Sequence, residues 1–490
     1  MKFSTKDILL LAFTLILVAL SLIIGNKYVG IFVVVILSLI ALYKKELGLY
    51  MLLLYVPVRP FLTSVNPGLK IISDLIIFSL LIRTIYENRT NIKSLLKFDL
   101  FEIALFIYLA IGTISGLITG VSIVSIIFQI RAYILLYFVY YVVKRMMISQ
   151  ETLNKISIIT FITAVIISLH GFIEKISDKT WLMPLEWQNW GLAPTNQVRV
   201  YGLLKGPNEL ALYLIVSFLI SLYLLKVIKG NKIWLIYIGL SIIGATFVLT
   251  YSRGASLALI TFVLIYLVLF RTLKGFKKLL LIAGASCLLF FGVTSAAGLY
   301  EDYVTSVEQN EDNAQNGSTN KGQTGFSGGK KSEGANRFKE AFSEDTVELS
   351  SQDGRIYYVT KAIEVFKDYP IIGAGFGTFG GAATLAYSSP IYKNYGIQTD
   401  FYSDNQYILT LAETGIIGVL ILSVFVFSLL FITIMIFKRK EIEYSILALF
   451  FFITMIVGGL VYNILEIDTF MMYYFLLLGI IYPRIKAEKI

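Results

Sequence analysis

The sequence predicts an all-α polytopic membrane protein with about fourteen transmembrane helices, and three observations support this prediction. Hydrophobic residues make up 57% of the 490 residues and charged residues only 15%, with a mean hydropathy of +0.76, which is outside the range of ordinary soluble domains. Apolar segments recur along the chain at roughly the length that crosses about 30 Å of hydrocarbon. Lys and Arg collect in alternate connections between these segments, as the positive-inside rule requires.

The predicted spans follow one another with short connections, except before the last three. They occupy residues 7–24, 28–43, 46–58, 70–86, 100–119, 123–143, 155–173, 207–228, 232–249, 254–270, 277–297, 407–437, 443–463 and 467–483. The first span follows Lys2 and Lys6, but no small-residue cleavage site closes it, so we predict a retained span rather than a signal peptide. This gives eleven helices in residues 1–297, a large extracytoplasmic loop at 298–404, and three helices in 405–490.

Charge predicts the orientation of these spans, because cytoplasmic connections carry an excess of Lys and Arg. With the N-terminus in the cytoplasm, every inner connection is basic: Lys44 and Lys45; Arg89, Lys93 and Lys97; Lys144, Arg145 and Lys155; Lys226, Lys229 and Lys232; Arg271, Lys274, Lys277 and Lys278; Lys438, Arg439 and Lys440; and the tail with Arg484, Lys486 and Lys489. The loop 298–404 holds fifteen acidic against nine basic residues and is predicted to lie outside. We therefore expect both termini in the cytoplasm.

The net charge of +10 is explained by this topology and does not indicate nucleic acid. A nucleic-acid surface would interleave Lys and Arg with aromatic residues on one soluble face, and no segment of the sequence does so. The single cysteine, Cys287, excludes an intrachain disulfide and a cysteine metal cluster. The single histidine, His170, likewise excludes a multi-histidine zinc site.

Two outer segments differ from the helical pattern. Residues 174–206 contain three of the four Trp residues, which indicates either an aromatic belt at the membrane interface or a surface on which sugar rings stack. In the large loop, residues 308–336 have no aliphatic side chain larger than Ala and are predicted to be disordered. Residues 354–369 follow with an amphipathic pattern, which predicts a helix on the outer membrane surface that ends before Pro370.

The apolar stripe of that helix consists of Ile356, Val359, Ile363 and Phe366. The glycines after it, Gly375, Gly377 and Gly380, have the spacing of a dinucleotide-binding fingerprint, but no predicted strand precedes them. We therefore expect a turn that leads the chain back towards the membrane, and not a nucleotide site.

Polar residues collect where outer connections meet the spans, and this is the candidate site. They are Arg199 and Asn208 around the entry to the eighth span, Arg253 in the hairpin before the tenth, Arg355 at the surface helix, and Asp404 with Asn405 at the twelfth. Arginine suits a phosphate ligand because its planar fork gives two parallel hydrogen bonds and stays charged. The alternative for each arginine is contact with lipid phosphates.

Three further charged residues lie within the predicted spans or at their ends. Arg131 lies inside the sixth predicted span, where a charge indicates function. Glu413 lies nine residues after Asp404, about half a turn out of phase, so it is predicted to face away and to be structural. Glu209 is placed to favour the N-terminus of the eighth span.

Four motifs carry a resemblance to a known family. "RVYGLLKGPNELA", "TYSRGAS", "GRIYYVTKAIEVFKDYPIIGAGFGTF" and "DNQYILTLAETGIIG" follow in this order, with a large outer loop before the last. They resemble the O-antigen ligase and polymerase family of lipid-linked glycan transferases over roughly residues 190 to 430. The resemblance implies a GT-C-type membrane glycosyltransferase that takes glycan from an undecaprenyl-pyrophosphate carrier outside the cytoplasmic membrane, without a metal or a nucleotide sugar.

The resemblance also implies roles for the candidate residues. Family members often carry His where this sequence has Asp404, so the role of general base falls to this carboxylate, with Asn405 and Arg355 beside it in the catalytic group. Arg199, Arg253, Asn208 and Arg131 are expected to bind the pyrophosphate. His170 is the alternative base, although a lone histidine at the interface more often packs against its neighbours.

The resulting hypothesis is a polymerase of a bacterial surface polysaccharide, of the O-antigen, capsule or teichuronic-acid kind. Its partners would be the lipid-linked oligosaccharide, an acceptor glycan and the bilayer. A ligase that transfers finished glycan to another acceptor is the alternative, and a lipid-linked oligosaccharide flippase is disfavoured because the sequence shows no internal repeat. The Ile- and Lys-rich composition suits an AT-rich genome, such as that of a Gram-positive bacterium.

Overall fold

The computed structural model describes residues 4–192, 194–270, 276–315, 354–399, 401–439 and 441–487, and within these ranges the chain is helical with no strand. The longer helices, in chain order, are α1 (Thr5–Ile24), α2 (Lys27–Tyr43), α3 (Lys45–Tyr55), α4 (Arg59–Val65), α5 (Ile72–Glu87), α6 (Leu100–Ile118), α7 (Ile123–Val143), α8 (Gln150–Ile176), α9 (Pro207–Leu222), α10 (Ile233–Leu249), α11 (Arg253–Phe270), α12 (Phe276–Gln315), α13 (Arg355–Asp368), α14 (Gln406–Lys438), α15 (Ile442–Gly459) and α16 (Asp468–Ala487).

The predicted all-α polytopic fold is confirmed. In the described part of the chain, eleven helices are long and apolar enough to cross a membrane, with α3 and α4 counted as one continuous span. The other three predicted spans are α2, α5 and α16, which are helices of 17, 16 and 20 residues. Helical hydrogen bonding suits a bilayer because it satisfies the backbone polar groups within each segment.

Polar residues at the predicted span ends cap these helices. Ser4 accepts a hydrogen bond from the Asp7 N–H at the start of α1, and Ser122 does the same for Ser125 in α7. Asp99 and Glu102 form a capping box at the start of α6. Such caps satisfy backbone N–H groups that a helix leaves free at its first turn, so the helix starts are encoded locally.

Burial separates inner helices from peripheral ones. In the most apolar stretch of α9 and the turn that follows it, 61% of the residues are buried. The corresponding stretches of α1 and α12 are each only 17% buried. The peripheral helices expose large apolar side chains such as Ile23 and Leu288, at 81% and 75%. An apolar periphery of this extent is expected of a protein whose surface faces lipid.

One end of the helical bundle gathers the basic connections, and we call it the basic end. Lys144 contacts Asp99 and Glu102 at 2.7 and 2.6 Å, and Lys486 near the C-terminus reaches Asp99 at 2.9 Å. Lys44 pairs with Asp7 at 2.6 Å close to the N-terminus. Connections that the charge pattern places on one side of the membrane therefore meet in space, and both described termini lie among them.

Helix α12 is longer than a membrane span requires. Its 40 residues extend over about 60 Å, whereas the hydrocarbon is about 30 Å thick. The predicted span 277–297 is its first half, and Tyr300 beyond that span packs against Trp181. Residues 316–336 of the segment predicted to be disordered lie outside the described residues.

Residues 370–381, which we call the glycine segment, run back into the bundle between α6 and α14. The N–H groups of Ala374 and Gly375 donate to the carbonyls of Ala412 and Glu413 in α14 at 2.9 and 2.7 Å, and Phe376 N–H donates to Gly112 O in α6 at 2.9 Å. Irregular backbone at membrane depth is tolerated where protein covers it, and this segment is covered on both sides.

Helix α14 is broken where the glycine segment meets it. Gly415 has φ of 59°, and the N–H groups of Ile416 and Ile417 donate to the carbonyls of Pro370 and Ile371 at 2.9 and 3.1 Å. The break frees backbone groups of α14, and the glycine segment satisfies them. The predicted span 407–437 is therefore present, with an interruption at Gly415.

Helix α13, the predicted surface helix, has two apolar faces. Ala362 and Val365 are fully buried in a cluster with Phe401 and Leu409. The predicted apolar stripe lies on another face, where Ile356, Val359 and Ile363 are 45%, 38% and 43% exposed. The inner face fixes the helix to α14, and the outer stripe is exposed on the surface of the protein.

Candidate functional site

The end of the bundle opposite the basic end carries the predicted polar residues, and we call it the site end. Arg199 is held there by three hydrogen bonds: to Thr250 O at 2.8 Å, to Asn196 Oδ1 at 3.2 Å and to Asn208 Oδ1 at 2.6 Å. These partners belong to the loop before α9, to α9 itself and to the hairpin between α10 and α11. The guanidinium group therefore joins three separate elements at one level.

The backbone around Arg199 is fixed by a buried carboxylate. Glu174, at the end of α8, accepts hydrogen bonds from the N–H groups of Tyr201 and Gly202 at 3.0 and 2.6 Å. Lys179 pairs with Glu174 at 2.5 Å and also donates to Arg199 O at 2.6 Å. The position of Arg199 is thus set from both its side chain and its main chain.

The hairpin "TYSRGAS" reaches the same place. Ser252 Oγ donates to Asn208 Oδ1 at 3.0 Å and lies 2.9 Å from the hydroxyl of Tyr462, which follows α15. Arg253 is exposed as the first residue of α11, and within the described residues its side chain has no hydrogen bond or ion pair. The hairpin therefore places Arg253, whose side chain has no partner among the described residues, directly after the serine that contacts Asn208.

Asp404 lies directly before the first turn of α14. Its φ of 46° is in the left-handed region, which is uncommon for a residue with a side chain. Within the described ranges its carboxylate makes no hydrogen bond or ion pair, and the residue is partly buried. A strained and unpartnered carboxylate is a feature of functional sites.

Burial raises the pKa of the Asp404 carboxyl to about 6, although the positive charges of Arg355 and Arg199 act to lower this pKa. Both arginines are therefore close enough to act on its charge, although neither pairs with it directly. The structure brings together Asp404, Arg355 and Arg199, with Asn208 bonded to Arg199. The sequence predicts one site from these four residues together with Arg253 and Asn405.

Asn405 and Arg355 reach the site in different ways. Asn405 Oδ1 caps α14 by accepting from the N–H groups of Tyr407 and Ile408 at 2.9 and 3.2 Å, and its Nδ2 donates to Leu460 O at 3.0 Å. Its amide is therefore occupied by structural bonds. Arg355 is the exposed first residue of α13 and has no described hydrogen-bond partner, so its fork is available to a ligand.

Arg131 and His170, both predicted site residues, have partners elsewhere. Arg131 forms a bidentate pair with Asp74 of α5, with Nε–Oδ2 and Nη2–Oδ1 distances of 2.9 and 2.6 Å. His170 is buried, with Nε2 3.2 Å from Leu182 O and its ring edge-on to Phe61. Of the described contacts of these two residues, none is with Asp404, Arg199 or Arg355.

The tryptophan-rich loop packs mainly on itself. Trp187 and Trp190 stack with ring centroids 5.1 Å apart, and Trp187 also meets Phe61 edge-on. Trp181 is half exposed and packs against Tyr300. Protein rings therefore occupy faces of all three side chains, which favours the aromatic belt over a sugar-stacking surface.

The sequence analysis did not identify Asn463 and Glu466, which lie between α15 and α16 and contact the neighbours of Asp404. Asn463 and Glu466 hydrogen-bond to the backbone and side chains next to Asp404. The predicted span 443–463 ran over Asn463, whereas α15 ends at Gly459. The available signal was the spacing of Asn and Glu in "YNILEID", two polar residues between two apolar spans.

The fold and the site define a multi-pass membrane protein that surrounds a carboxylate with arginines at one end of its helical bundle. Residues 236–423 match the family model described as O-antigen ligase, and this match supports a protein of the O-antigen ligase and polymerase type. The predicted resemblance is confirmed. The matched residues include Arg253, Arg355 and Asp404, while Arg199 and Asn208 precede them. No curated protein matches the chain.

Proposed function

We propose that this protein is a polymerase of a bacterial surface polysaccharide. It would transfer glycan from an undecaprenyl-pyrophosphate carrier to the hydroxyl of an acceptor repeat unit at the outer face of the cytoplasmic membrane. The observation that carries the proposal is the unpartnered carboxylate of Asp404 within electrostatic reach of Arg199 and Arg355. A glycosyl transfer from a pyrophosphate needs a proton acceptor and fixed cations next to each other, and this arrangement supplies both.

Asp404 acts as the base in this reaction. The acceptor oxygen attacks the anomeric carbon of the donor sugar, its proton passes to the Asp404 carboxylate, and the bond between that carbon and the pyrophosphate oxygen breaks. A carboxyl with a pKa of about 6 is still largely ionised at neutral pH, and it is a stronger base than an ordinary aspartate. The raised pKa therefore suits the task that the resemblance implies.

The arginines stabilise the charge that develops on the departing pyrophosphate. Arg253 and Arg355 each begin a helix, where free backbone N–H groups also favour an anion. Arg199 is already held by three hydrogen bonds, so it contributes a fixed charge that need not reorganise during the reaction. Arg131 does not belong to this group, because its fork is occupied by Asp74.

A ligase that transfers finished glycan to another acceptor is the second candidate, since the matching family model is described as O-antigen ligase. Purified protein in lipid nanodiscs, incubated with lipid-linked repeat units alone, distinguishes the two. A ladder of products that grows by one repeat unit supports the polymerase. Absence of a ladder, with one product after a second acceptor is added, supports the ligase.

The same lipid-linked repeat units, supplied to protein reconstituted in sealed vesicles, test the flippase alternative. Movement of the lipid-linked glycan across a sealed vesicle without any new glycosidic bond would contradict both transferase proposals. The Asp404→Asn variant is the matched control, because loss of the carboxylate should stop bond formation and leave carrier binding intact.

A further inference from the structure

We propose that residues 460–466, between α15 and α16, hold Asp404 in its reactive orientation, with Asn463 and Glu466 as the positioning residues. This inference rests on the proposed role of Asp404 as the base. It assigns a function to a segment that lies outside residues 236–423, which match the family model.

Asn463 holds the residues on both sides of Asp404. Its Oδ1 accepts from Ser403 Oγ at 2.9 Å and from the Asn405 N–H at 3.0 Å. Its Nδ2 donates to Gly380 O in the glycine segment at 3.0 Å, and the Ser403 N–H donates to the same carbonyl at 3.0 Å. Asn463 is 1% exposed, so each of these bonds is protected from water.

Further bonds connect the two segments. Asn405 Nδ2 donates to Leu460 O at 3.0 Å, and the Gln406 N–H donates to Tyr462 O at 3.0 Å. In return, the Leu465 N–H donates to Gln406 Oε1 at 3.1 Å. The residues that follow Asp404 are therefore bonded to residues 460–466 through both backbone and side-chain atoms.

Glu466 holds the residue two positions before Asp404. Its Oε2 accepts from the hydroxyl of Tyr402 and from the Ala382 N–H, both at 3.1 Å. Its Oε1 accepts from Gln129 Nε2 of α7 and, at 3.4 Å, from the hydroxyl of Tyr133. All four partners are donors, so both oxygens of the Glu466 carboxyl act as acceptors.

The contrast with Asp404 itself is the central observation. Tyr402, Ser403, Asn405 and Gln406 are each bonded to Asn463, Glu466 or a neighbour of theirs, whereas the Asp404 carboxylate has no partner in the described part of the chain. Its left-handed backbone would relax in a free loop. The flanking bonds therefore hold a strained residue in place, as expected where the strain presents a reactive group.

The test measures kcat and the donor KM for purified full-length variants across a range of pH. Tyr402→Phe removes one hydroxyl, and Glu466→Gln replaces an acceptor oxygen with a donor that faces other donors. We expect kcat to fall by roughly 10- to 100-fold because the base is misplaced, with the donor KM unchanged. The acidic limb of the pH profile should also move, since the surroundings of Asp404 change.

The matched controls are Tyr395→Phe, which removes a hydroxyl bonded to Asp368, and Glu443→Gln at the basic end. Both should keep wild-type kcat and pH profile. If Glu466→Gln does not fold, as judged by its melting temperature, Tyr402→Phe decides the question alone. Wild-type kcat and pH profile in Tyr402→Phe, or a rise in donor KM with an unmoved pH profile, would overturn the inference.

The failure of the proposed function gives a different result. If Asp404→Asn itself turns over at the wild-type rate, Asp404 is not the base, and the positioning proposal falls together with that assignment. If Asp404→Asn is impaired while Tyr402→Phe and Glu466→Gln match the wild type, only the positioning proposal fails.

Discussion

At the scale of single residues, Asp404 differs from the other carboxylates near it. Glu174 and Glu466 each accept several hydrogen bonds and act within the structure, whereas Asp404 has none in the described residues. Asp404→Asn keeps the size of the side chain but cannot take a proton. Transfer should slow by about 10²- to 10⁴-fold while donor binding survives, as measured by single-turnover kinetics and by donor titration.

Stability provides the control for this variant. The pKa of Asp404 is raised to about 6 by burial, so its contribution to stability is present below the unfolded pKa near 3.8 and is lost as pH rises through 6. At pH 7.5 the Asn variant should therefore melt at the same temperature as the wild type or higher. Full turnover by Asp404→Asn, with loss of turnover in His170→Gln, would show that His170 is the base.

The pH dependence of the wild type follows from the same carboxyl. The active form is ionised, so kcat should fall about tenfold for each pH unit below about 6. Arg199 and Arg355 lower the pKa, and the nearby Tyr402 hydroxyl remains neutral because burial raises its own pKa far above the range of the assay. Measurement of kcat between pH 4.5 and 8 checks this expectation, and a flat profile would contradict it.

The arginines should respond to Arg→Lys changes according to their partners. Arg253→Lys and Arg355→Lys lose the bidentate fork at exposed helix starts, so donor affinity or kcat should fall by roughly tenfold with unchanged melting temperature. Arg199→Lys should reduce both activity and stability, since Arg199 also bonds to Thr250 and Asn208. Wild-type activity in these three variants would reduce them to lipid contacts.

Arg131→Lys is the matched control for this series. It breaks the bidentate pair with Asp74, which lies apart from the described contacts of the site. We expect a lower melting temperature and little change in the donor KM. A large rise in donor KM without loss of stability would return Arg131 to the pyrophosphate site.

Arg199, Arg355 and Asp404 could be proposed as site candidates from the sequence because the charge rule places their connections on one side of the membrane. Asn463 could not, because a single amide at the end of an apolar run does not reveal where the helix stops. Glu466 was missed for a related reason, since its partners Gln129 and Tyr402 are distant in the chain. Their roles depend on tertiary contacts that no local pattern encodes.

At the scale of elements, the docking of the glycine segment on α6 and α14 connects the surface helix to the site. Gly375 has φ of 97°, and a Cβ atom there would lie 2.0 Å from the Gly116 N atom of α6. Gly375→Ala should therefore destabilise the protein by about 2 kcal/mol or more through backbone strain and overpacking, and it should lower kcat. Thermal unfolding in detergent together with the transfer assay measures both effects.

Gly284→Ala is the control, because a Cβ atom at this position in α12 meets nothing within 4 Å. It should match the wild type in both melting temperature and rate. Equal behaviour of the two alanine variants would show that the glycine segment is not closely packed in the protein as it works.

The sequence predicts each span as a helix because apolar length is a strong local signal. It does not predict the break in α14 at Gly415, since the segment on either side is apolar and glycine is common in membrane helices. The break is stable only because residues 370–371 satisfy the freed N–H groups of Ile416 and Ile417. The partner lies more than forty residues earlier, beyond the reach of any periodicity.

At the scale of the whole molecule, the two ends of the bundle differ in chemistry. The basic end consists of lysines and arginines that pair with acidic caps, as Lys144 and Lys486 do with Asp99. Burial raises the pKa of Asp99, but the two lysines outweigh it and bring the pKa to about 2. At the site end, the side chains of Arg253, Arg355 and Asp404 have no hydrogen-bond or ion-pair partner among the described residues. This suits a surface that binds an anionic substrate.

This difference predicts that the site end faces the outside of the cell, since basic connections stay in the cytoplasm. In a Cys287→Ala background, single cysteines at Lys393 and Lys93 report the two ends, because both lysines are exposed and neither lies in a long helix. A membrane-impermeant maleimide should label Lys393→Cys in intact cells, and Lys93→Cys only after permeabilisation. The reverse labelling pattern would place Asp404 and the arginines in the cytoplasm and overturn the proposal of transfer at the outer face, whatever the activity of the purified protein. Labelling of both positions in intact cells would mean that the two ends are not separated by the membrane, which would contradict the topology that the basic connections predict.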